Sequence, residues 1–588
     1  MCGIFGIISK NALHINKNIL PHRGPDDWGL VHHKCGNDWL SLFQSRLSII
    51  GLGPQGHQPY QKYDNYTLAY NGEIYNYDYL KKLLVQKYKI NFITKTDTEV
   101  LYESLINLGI NRTLEVIDGI FAFVFYDQQN ERLLLVRDHL GVKPLYYHVS
   151  EAQILFGSEP KVFFELGLMK PVLNKNLLGE YFANGWIYEP DTLFEEIYKV
   201  EAGHYLCFDL KNKTNENKQY WDVSNINRQI GYDIPSSIIS QTVSDVPVGI
   251  YFSGGIDSSI IAYTLKDRGH LFLNLDLNDT ESIRARQFEK LYNLRVNKIQ
   301  YEQNKLSIYD DMIYHLDEPV ADPAIIPTYL LAKTANELGC TVMLSGMGGD
   351  EIDAGYTRHR ILLNIDKYSK YKLLPLLPFL SGKRYRDLKR LKNFLKNPVP
   401  SNYFSLTAYF SVQEINQLLQ DEWYSAYSRK IDGITSGIDG LKKYFYLDLK
   451  GFLASHNLIY MDKASMAASI EVRVPLLQKD NVAALFMNLD TDNKKEQKSR
   501  LTALLQSQQG SDYLKVKKQG FRYPINDWIL NQIDWKYVIE QLGDNNIINP
   551  QPIKEWVNIS KNNVDQVSMK LWYVYTLHKW FEIFGVSI

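Results

Sequence analysis

Over the first part of the chain, apolar residues come in short runs bounded by Gly, Asp and Asn: CGIFGII from Cys2, LAYNGEIYN from Leu68, IFAFVFYD from Ile120, RLLLVRD from Arg132, PLYYHV from Pro144 and QILFGSE from Gln153. Runs of this length between turn formers predict β-strands. Between two of them YDYLKKLLVQKY, from Tyr77, reads as a polar helix. The stretch DLKNKTNENKQYW, from Asp209 to Trp221, is charged and amide-rich with little to bury, and predicts a linker over 209–224. Beyond it the pattern becomes strand, glycine turn and helix, in VPVGIYFSGGIDSSIIAYTL from Val246 and again in CTVMLSGMGGDE from Cys340. That alternation predicts a parallel sheet with helices on its faces. From about Arg360 onward, long amphipathic and aromatic segments predict a mostly helical extension. The chain therefore divides into a strand-rich domain over 2–208 and an α/β domain over 225–588.

Composition narrows the function. The 588 residues are 45% hydrophobic, enough for two or three ordinary globular domains. A net charge of -1 makes no electrostatic case for nucleic acid or an anionic membrane. No apolar run approaches the roughly 20 residues of a membrane helix, and LLPLLPFL from Leu373 is broken by prolines. Ser9, Lys10 and Asn11 end the first apolar run too early for a secretory signal. Four cysteines without CxxC spacing argue against zinc and disulfides and for a reducing cytosol. The 41 tyrosines, spread among Asn, Lys and Ile, read as a compositional habit rather than a stacking surface.

Candidate chemistry begins at Cys2. If Met1 is removed, the thiol stands beside its own α-amine, whose ordinary pKa of about 8 suits it to take and return the thiol proton. In the second domain SGGIDSS follows an apolar strand and opens a helix, so Ser253, Gly254, Gly255 and Ser258 are placed to offer backbone N–H groups to an anion. It is not a Walker A loop, because no GK[ST] follows. Asp257 among such amides would repel a nucleotide unless Mg2+ lay between them. LSGMGGDE places Ser345, Gly346 and Asp350 behind another strand, on the same edge of the sheet, where Asp257 and Asp350 could hold one magnesium ion.

These motifs resemble a known family. SGGIDSS is similar to the pyrophosphatase loop of enzymes that cleave ATP between its α and β phosphates, and MCGIFG, HRGPD, SRLSI, YNGEIYN, KTDTE, RDHLGVKPLYY and FGSEPK resemble an amino-terminal-nucleophile glutaminase. With DEPVADPAIIPTYLL, LSGMGGDE, DKASMAASIEVRVP and KKQGFRYP they resemble the glutamine-hydrolysing asparagine synthetase family over most of the chain. The resemblance implies an α+β, αββα glutaminase domain followed by an α/β ATP-pyrophosphatase domain of the adenine nucleotide alpha hydrolase type with a helical extension. It implies that Cys2 attacks the glutamine amide, that Asn71 and Gly72 form the oxyanion hole, that Arg46 holds the glutamine carboxylate, and that Glu73 and Asp97 take its ammonium group. Lys463 and Lys518 would face pyrophosphate, with Lys517 a competing assignment beside the latter. Substrates and cofactors implied are glutamine, ATP, Mg2+ and a carboxylate acceptor, with aspartate going to asparagine through β-aspartyl-AMP. A homodimer is expected from the family alone.

Two features depart from the pattern. Met347 stands where the family commonly has a carboxylate, and a thioether accepts no proton. Either another group, Glu351 or a product phosphate, takes that role, or the same chemistry acts on another carboxylate, for example a uronic acid of a surface polysaccharide, which is the alternative. The connection between GIFGII and HRGPD is also shorter than the family's.

Overall fold

In the strand Cys2–Ser9, Ile4 and Ile8 fall on one face and Phe5 and Ile7 on the other, and all four are buried. Because side chains alternate along a strand, both faces must be covered. Ile4 and Ile8 join Leu40, Leu42, Ala122, Val124, Leu133 and Leu135 in a cluster between two stacked sheets. Phe5 and Ile7 point the other way, into the cluster that contains Phe163, Leu178 and Phe182. The structure is a computed structural model that describes residues 2–15, 18–226, 230–275, 280–299, 306–370, 382–489, 498–507, 524–544 and 547–587.

The first sheet runs Asp27–Cys35, Asp38–Arg46, Cys2–Ser9, Ile154–Gly157, Tyr146–Val149, Tyr198–Lys199, and its pairings are antiparallel. The second runs Thr214–Gln219, His204–Asp209, Arg132–Arg137, Gly119–Asp127, Tyr66–Ile74, also antiparallel. The helices Tyr77–Tyr88 and Asp97–Val116 cover the outer face of the second sheet through Leu80, Leu84, Val100 and Leu101. The expected helix–sheet–sheet–helix layering is therefore present. Thr214–Gln219 lies inside the predicted linker but forms an edge strand against His204–Asp209, all six of its residues exposed. A solvated edge strand has a linker's composition, which is why it read as one.

The second domain is built on a parallel sheet in the order Val296–Ile299, Leu271–Leu275, Val248–Tyr251, Val342–Leu344, Glu471–Arg473. The last of these strands falls inside the predicted helical extension and brings Arg473 level with Leu344. The remainder of that extension is helical among the described residues, ending in the helix Pro550–Phe584. One apolar cluster runs from Phe5 and Phe43 of the first domain to Val248, Leu344 and Trp580 of the second. The domains are thus packed through a common core, and the Tyr181 hydroxyl donates to the Tyr573 carbonyl across it (2.8 Å). Among the described residues no helix is long and apolar enough to cross a membrane.

Candidate active sites

Strand register brings the first site together. Cys2 lies directly across from Arg46, and the Cys2 N–H donates to Asn71 Oδ1 at 2.9 Å, bridging the two sheets. Asn71 is held there because Gln44 grips the preceding residue twice, accepting from Tyr70 N at 2.9 Å and donating to Tyr70 O at 2.6 Å. Asn71 Nδ2 is buried and makes no hydrogen bond. A buried idle donor two bonds from an engaged acceptor is expensive unless a ligand oxygen completes it. Gly72 follows with φ +150, and a Cβ there would lie 2.1 Å from Ile120 O, so no other residue fits.

Glu73 and Asp97 converge behind this pair, both buried. The Tyr70 hydroxyl and Ile74 N–H donate to Asp97 Oδ2 at 2.9 and 3.1 Å. Burial nevertheless raises the Asp97 carboxyl to about 6. Burial, and then the charge of Asp97, push Glu73 well above the ordinary carboxylate range against the pull of Arg473, whose Nη2 stands 3.5 Å away. Two carboxylates that repel one another in a dry pocket suit an ammonium ligand. The Arg46 guanidinium, by contrast, donates to the carbonyls of Ile50 (3.1 Å), Gly51 (2.6 Å) and Gly53 (3.3 Å), so it organises the loop beside the site.

Sequence reasoning passed over two arginines. Arg23, of HRGPD, is fully buried and donates to Cys2 O (3.2 Å), Glu159 (2.9 Å) and Asp462 (2.8 Å), the last from the second domain. Arg473, of IEVRVP, faces Glu73 with its side chain while its carbonyl accepts from Ser345 N at 2.9 Å. One residue thus touches the surroundings of both sites. Both lay inside quoted motifs, and burial alone singles them out.

The second site forms at the carboxyl ends of the parallel strands. After Val248–Tyr251 the chain turns through Gly254 at φ +80, and Gly255 caps the helix Ile256–Leu265. The loop after Val342–Leu344 presses against it: a Cβ on Gly346 would lie 2.8 Å from Ser258 N and 2.9 Å from Asp257 Cβ. The result is a cavity of about 360 Å³ lined by Ser253, Asp257, Ser258, Ser345, Gly346 and Met347, with Tyr460 and Met461 also in its wall. Glu351 does not line it. That carboxyl is buried behind the loop, accepting from the Tyr356 hydroxyl (2.7 Å) and Asn457 Nδ2 (2.9 Å).

Asp257 and Asp350 do converge, through Lys498. Its Nζ is hydrogen-bonded to Asp257 and stands 2.8 Å from Asp350 Oδ1, and the two carboxylates raise its pKa despite burial. Both oxygens within reach of one cation are a donor set that suits Mg2+ shared with polyphosphate oxygens. Nothing in the charged run DNKKEQKSR distinguished Lys498 from its neighbours. Lys463 lies on the same helix as Tyr460 and Met461, and its buried Nζ is ion-paired with Asp317 of its own domain and donates to Leu316 O (2.8 Å) and, across the domains, to the Tyr146 hydroxyl (2.9 Å). Lys518, with Lys517, lies outside the described residues.

Comparison with known proteins fits both halves. Residues 1–221 match the family model described as a glutamine amidotransferase domain, and residues 234–582 match asparagine synthase. Asparagine synthetase [glutamine-hydrolyzing] 1 of Bacillus subtilis is 27% identical over 99% of this chain and 97% of its own length. A putative asparagine synthetase [glutamine-hydrolyzing] 2 of Methanocaldococcus jannaschii is 29% identical over 74% of this chain and 88% of its own. Amidase chyE of Penicillium rubens is 26% identical over 79% of this chain and 76% of its own. With a glutaminase-type site on one sheet sandwich and a glycine-lined cavity on the neighbouring parallel sheet, this chain belongs to the asparagine synthase family and carries a glutamine amidotransferase domain at its amino-terminal side.

Proposed function

We propose that the protein amidates a carboxylate with nitrogen taken from glutamine, at the expense of ATP cleaved to AMP and pyrophosphate. With Met1 removed, the Cys2 amine takes the thiol proton and Sγ attacks the side-chain carbonyl of glutamine. Asn71 Nδ2 and the Gly72 N–H stabilise the oxyanion. Ammonia leaves with a proton returned by the amine, and water then releases glutamate from the thioester. Glu73 and Asp97 hold the substrate ammonium, and Arg46 fixes the loop and the carboxylate beside it.

In the second domain Ser253, Gly254, Gly255, Ser258, Ser345 and Gly346 bind ATP, and Lys518 faces the departing pyrophosphate. Asp257 and Asp350 are the residues that would hold Mg2+, which supplies neutralising charge to the polyphosphate. The acceptor carboxylate attacks the α-phosphorus and displaces pyrophosphate. Ammonia then attacks the acyl-adenylate carbonyl, releasing AMP and the amide.

The observation that carries this reading is Asn71, engaged with Cys2 N through Oδ1 and idle at a buried Nδ2. Aspartate, going to asparagine, is the acceptor in the family's parent reaction. Met347, an apolar side chain in the wall of the nucleotide cavity, favours a second reading in which another carboxylate takes its place. Four free thiols suit a reducing cytosol, and a homodimer is proposed on family grounds, to be checked by light scattering. Acceptor-dependent pyrophosphate release, measured beside glutamate formation in one tube, tests the function. Glutamate formation that no acceptor couples to pyrophosphate would defeat it.

A further inference from the structure

Beside the nucleotide cavity lies a larger one, of about 980 Å³, for which the chemistry above has no use. One layer of wall separates them. Asp322 and Pro323 line the large cavity and Ala324 the nucleotide cavity, while His456 on one side and Tyr460 on the other bring their rings to 5.2 Å. Pockets for drug-sized molecules run from roughly 300 to 1,000 Å³. A free amino acid would occupy a small corner of this one.

Its walls offer two kinds of contact. Trp186, Tyr188 and Tyr403, each only 6% exposed, line it together with Phe452 and give it an aromatic wall. Such surfaces complement a sugar ring, apolar across its C–H face and polar at its hydroxyl rim. The second kind is cationic. Arg358, Arg386 and Arg390 all line the cavity, and each keeps one buried guanidinium nitrogen without a hydrogen-bond partner: Nη2, Nε and Nη2 respectively. Their other contacts are accounted for. Arg358 Nε donates to Asp448 (3.0 Å), Arg386 Nη1 to Asp565 O (2.9 Å) and Arg390 Nε to Ala408 O (2.8 Å). Arg358 is buried and Arg386 and Arg390 are half-buried, so an idle buried nitrogen on each is costly, and an anion relieves it.

Three carboxylates, Asp322, Asp448 and Asp565, share the wall with the three arginines, so the arginines offer idle donors rather than net charge. Asp448 is taken up by Arg358, His359 and the Tyr403 hydroxyl. Asp322 and Asp565 accept from Ala324 N and Asn526 Nδ2, and their remaining capacity suits hydroxyl groups. At Arg386 and Arg390 the cavity continues into a depression of about 620 Å³ that adds Lys389, Lys396 and the pair Lys570–Glu414. The net positive charge therefore lies in this outer depression, at Lys389 and Lys396.

Resting on the amidotransferase reading, we propose that this cavity is the acceptor site and that its acceptor is an acidic sugar, a uronate carried on a larger anionic molecule, rather than free aspartate. The carboxylate to be activated is placed at the shared edge Asp322–Ala324, next to the nucleotide cavity, and the rest of the molecule stays against the rings and arginines. The chemistry balances as before: the carboxylate oxygen bonds to the α-phosphorus as pyrophosphate leaves, and ammonia then replaces AMP with loss of one proton.

The test uses the full chain with Mg-ATP and glutamine, and compares UDP-glucuronate, trigalacturonate and aspartate as acceptors at equal concentration. The expected result is that an acidic sugar raises pyrophosphate release at least about tenfold more than aspartate, and that mass spectrometry finds its amide. Response to the nucleotide-linked or the oligosaccharide arm identifies the carrier. Arg390→Ala should then raise KM for the responding sugar about tenfold or more, with a smaller change in kcat. Preference for aspartate, or no response to either sugar, overturns the proposal. In those cases continued glutamate release and stabilisation by Mg-ATP leave the amidotransferase reading in place, whereas loss of both would count against that reading itself.

Discussion

Replacing Asn71 tests the glutaminase half most sharply, because its two side-chain atoms are asked to do different work. Oδ1 accepts from Cys2 N at 2.9 Å, a bond worth about 1 kcal/mol net. Nδ2 has no partner in the resting protein and is available to an oxyanion. A single oxyanion donor contributes roughly 3–4 kcal/mol, about 10²- to 10³-fold in kcat. Asn71→Ala should therefore slow glutamate release by about that factor while KM for glutamine changes only a few-fold, since the donor acts on the transition state. Asn71→Asp separates the roles: it keeps an acceptor for Cys2 N, loses the donor and sets a negative charge against the oxyanion. It should fall at least as far as Asn71→Ala. The assay is glutamate release under saturating glutamine, with the rise in melting temperature on adding Mg-ATP as a check that the fold persists. If Asn71→Ala keeps its rate within about threefold of wild type, or Asn71→Asp is as fast as wild type, the oxyanion role of Nδ2 is wrong.

Other residues give further expectations. Asp97 sits at about 6 against an ordinary 3.8, so the folded state holds its proton more tightly than the unfolded chain, and stability falls by about 3 kcal/mol as pH rises from about 4 to about 6. Asp97→Asn removes that penalty while weakening glutamine binding: its gain in melting temperature should be larger at pH 8 than at pH 4, and an equal gain at both would refute the assignment. Lys498→Met removes the cation between Asp257 and Asp350, which should destabilise the metal-free protein by about 1–3 kcal/mol and make added Mg2+ stabilise the variant more than wild type, as calorimetry would show. Gly346→Ala forces its Cβ to within 2.8 Å of Ser258 N and should abolish the Mg-ATP melting shift while glutamine hydrolysis persists.

Much of the architecture was legible because periodicity reports burial. YDYLKKLLVQKY is the helix Tyr77–Tyr88, and the runs from Cys2, Leu68, Ile120 and Arg132 are strands of the two sheets. The glycine turns around Ser253 and Ser345 meet as expected, since parallel strands end on one edge. What the pattern hid were strands that bury polar residues as well. Asp38–Arg46 buries Leu40, Leu42 and Phe43 but also Ser41, Gln44, Ser45 and Arg46, each employed in hydrogen bonding, so its apolar residues form no continuous run. Glu471–Arg473 is three residues long, two of them charged, and pairing rather than hydrophobicity places it in the sheet. Site residues divided in the same way. Cys2, Asn71 and Glu73 come together because they sit on paired strands, and Asp97, at the head of its helix, is tied to them by the Ile74 N–H, whereas the partners of Lys463 carry no sign in its motif. Several tyrosines taken for a compositional habit line the large cavity.

The central claim is that one chain couples glutamine hydrolysis to ATP-driven amidation, and the direct measurement is nitrogen transfer from glutamine labelled with 15N in its side-chain amide. With Mg-ATP and a competent carboxylate acceptor, label should enter the product amide, with AMP, pyrophosphate and glutamate formed in equal amounts, and Cys2→Ala should abolish the transfer. Formation of ADP and phosphate instead, or labelled product undiminished in Cys2→Ala, would contradict it.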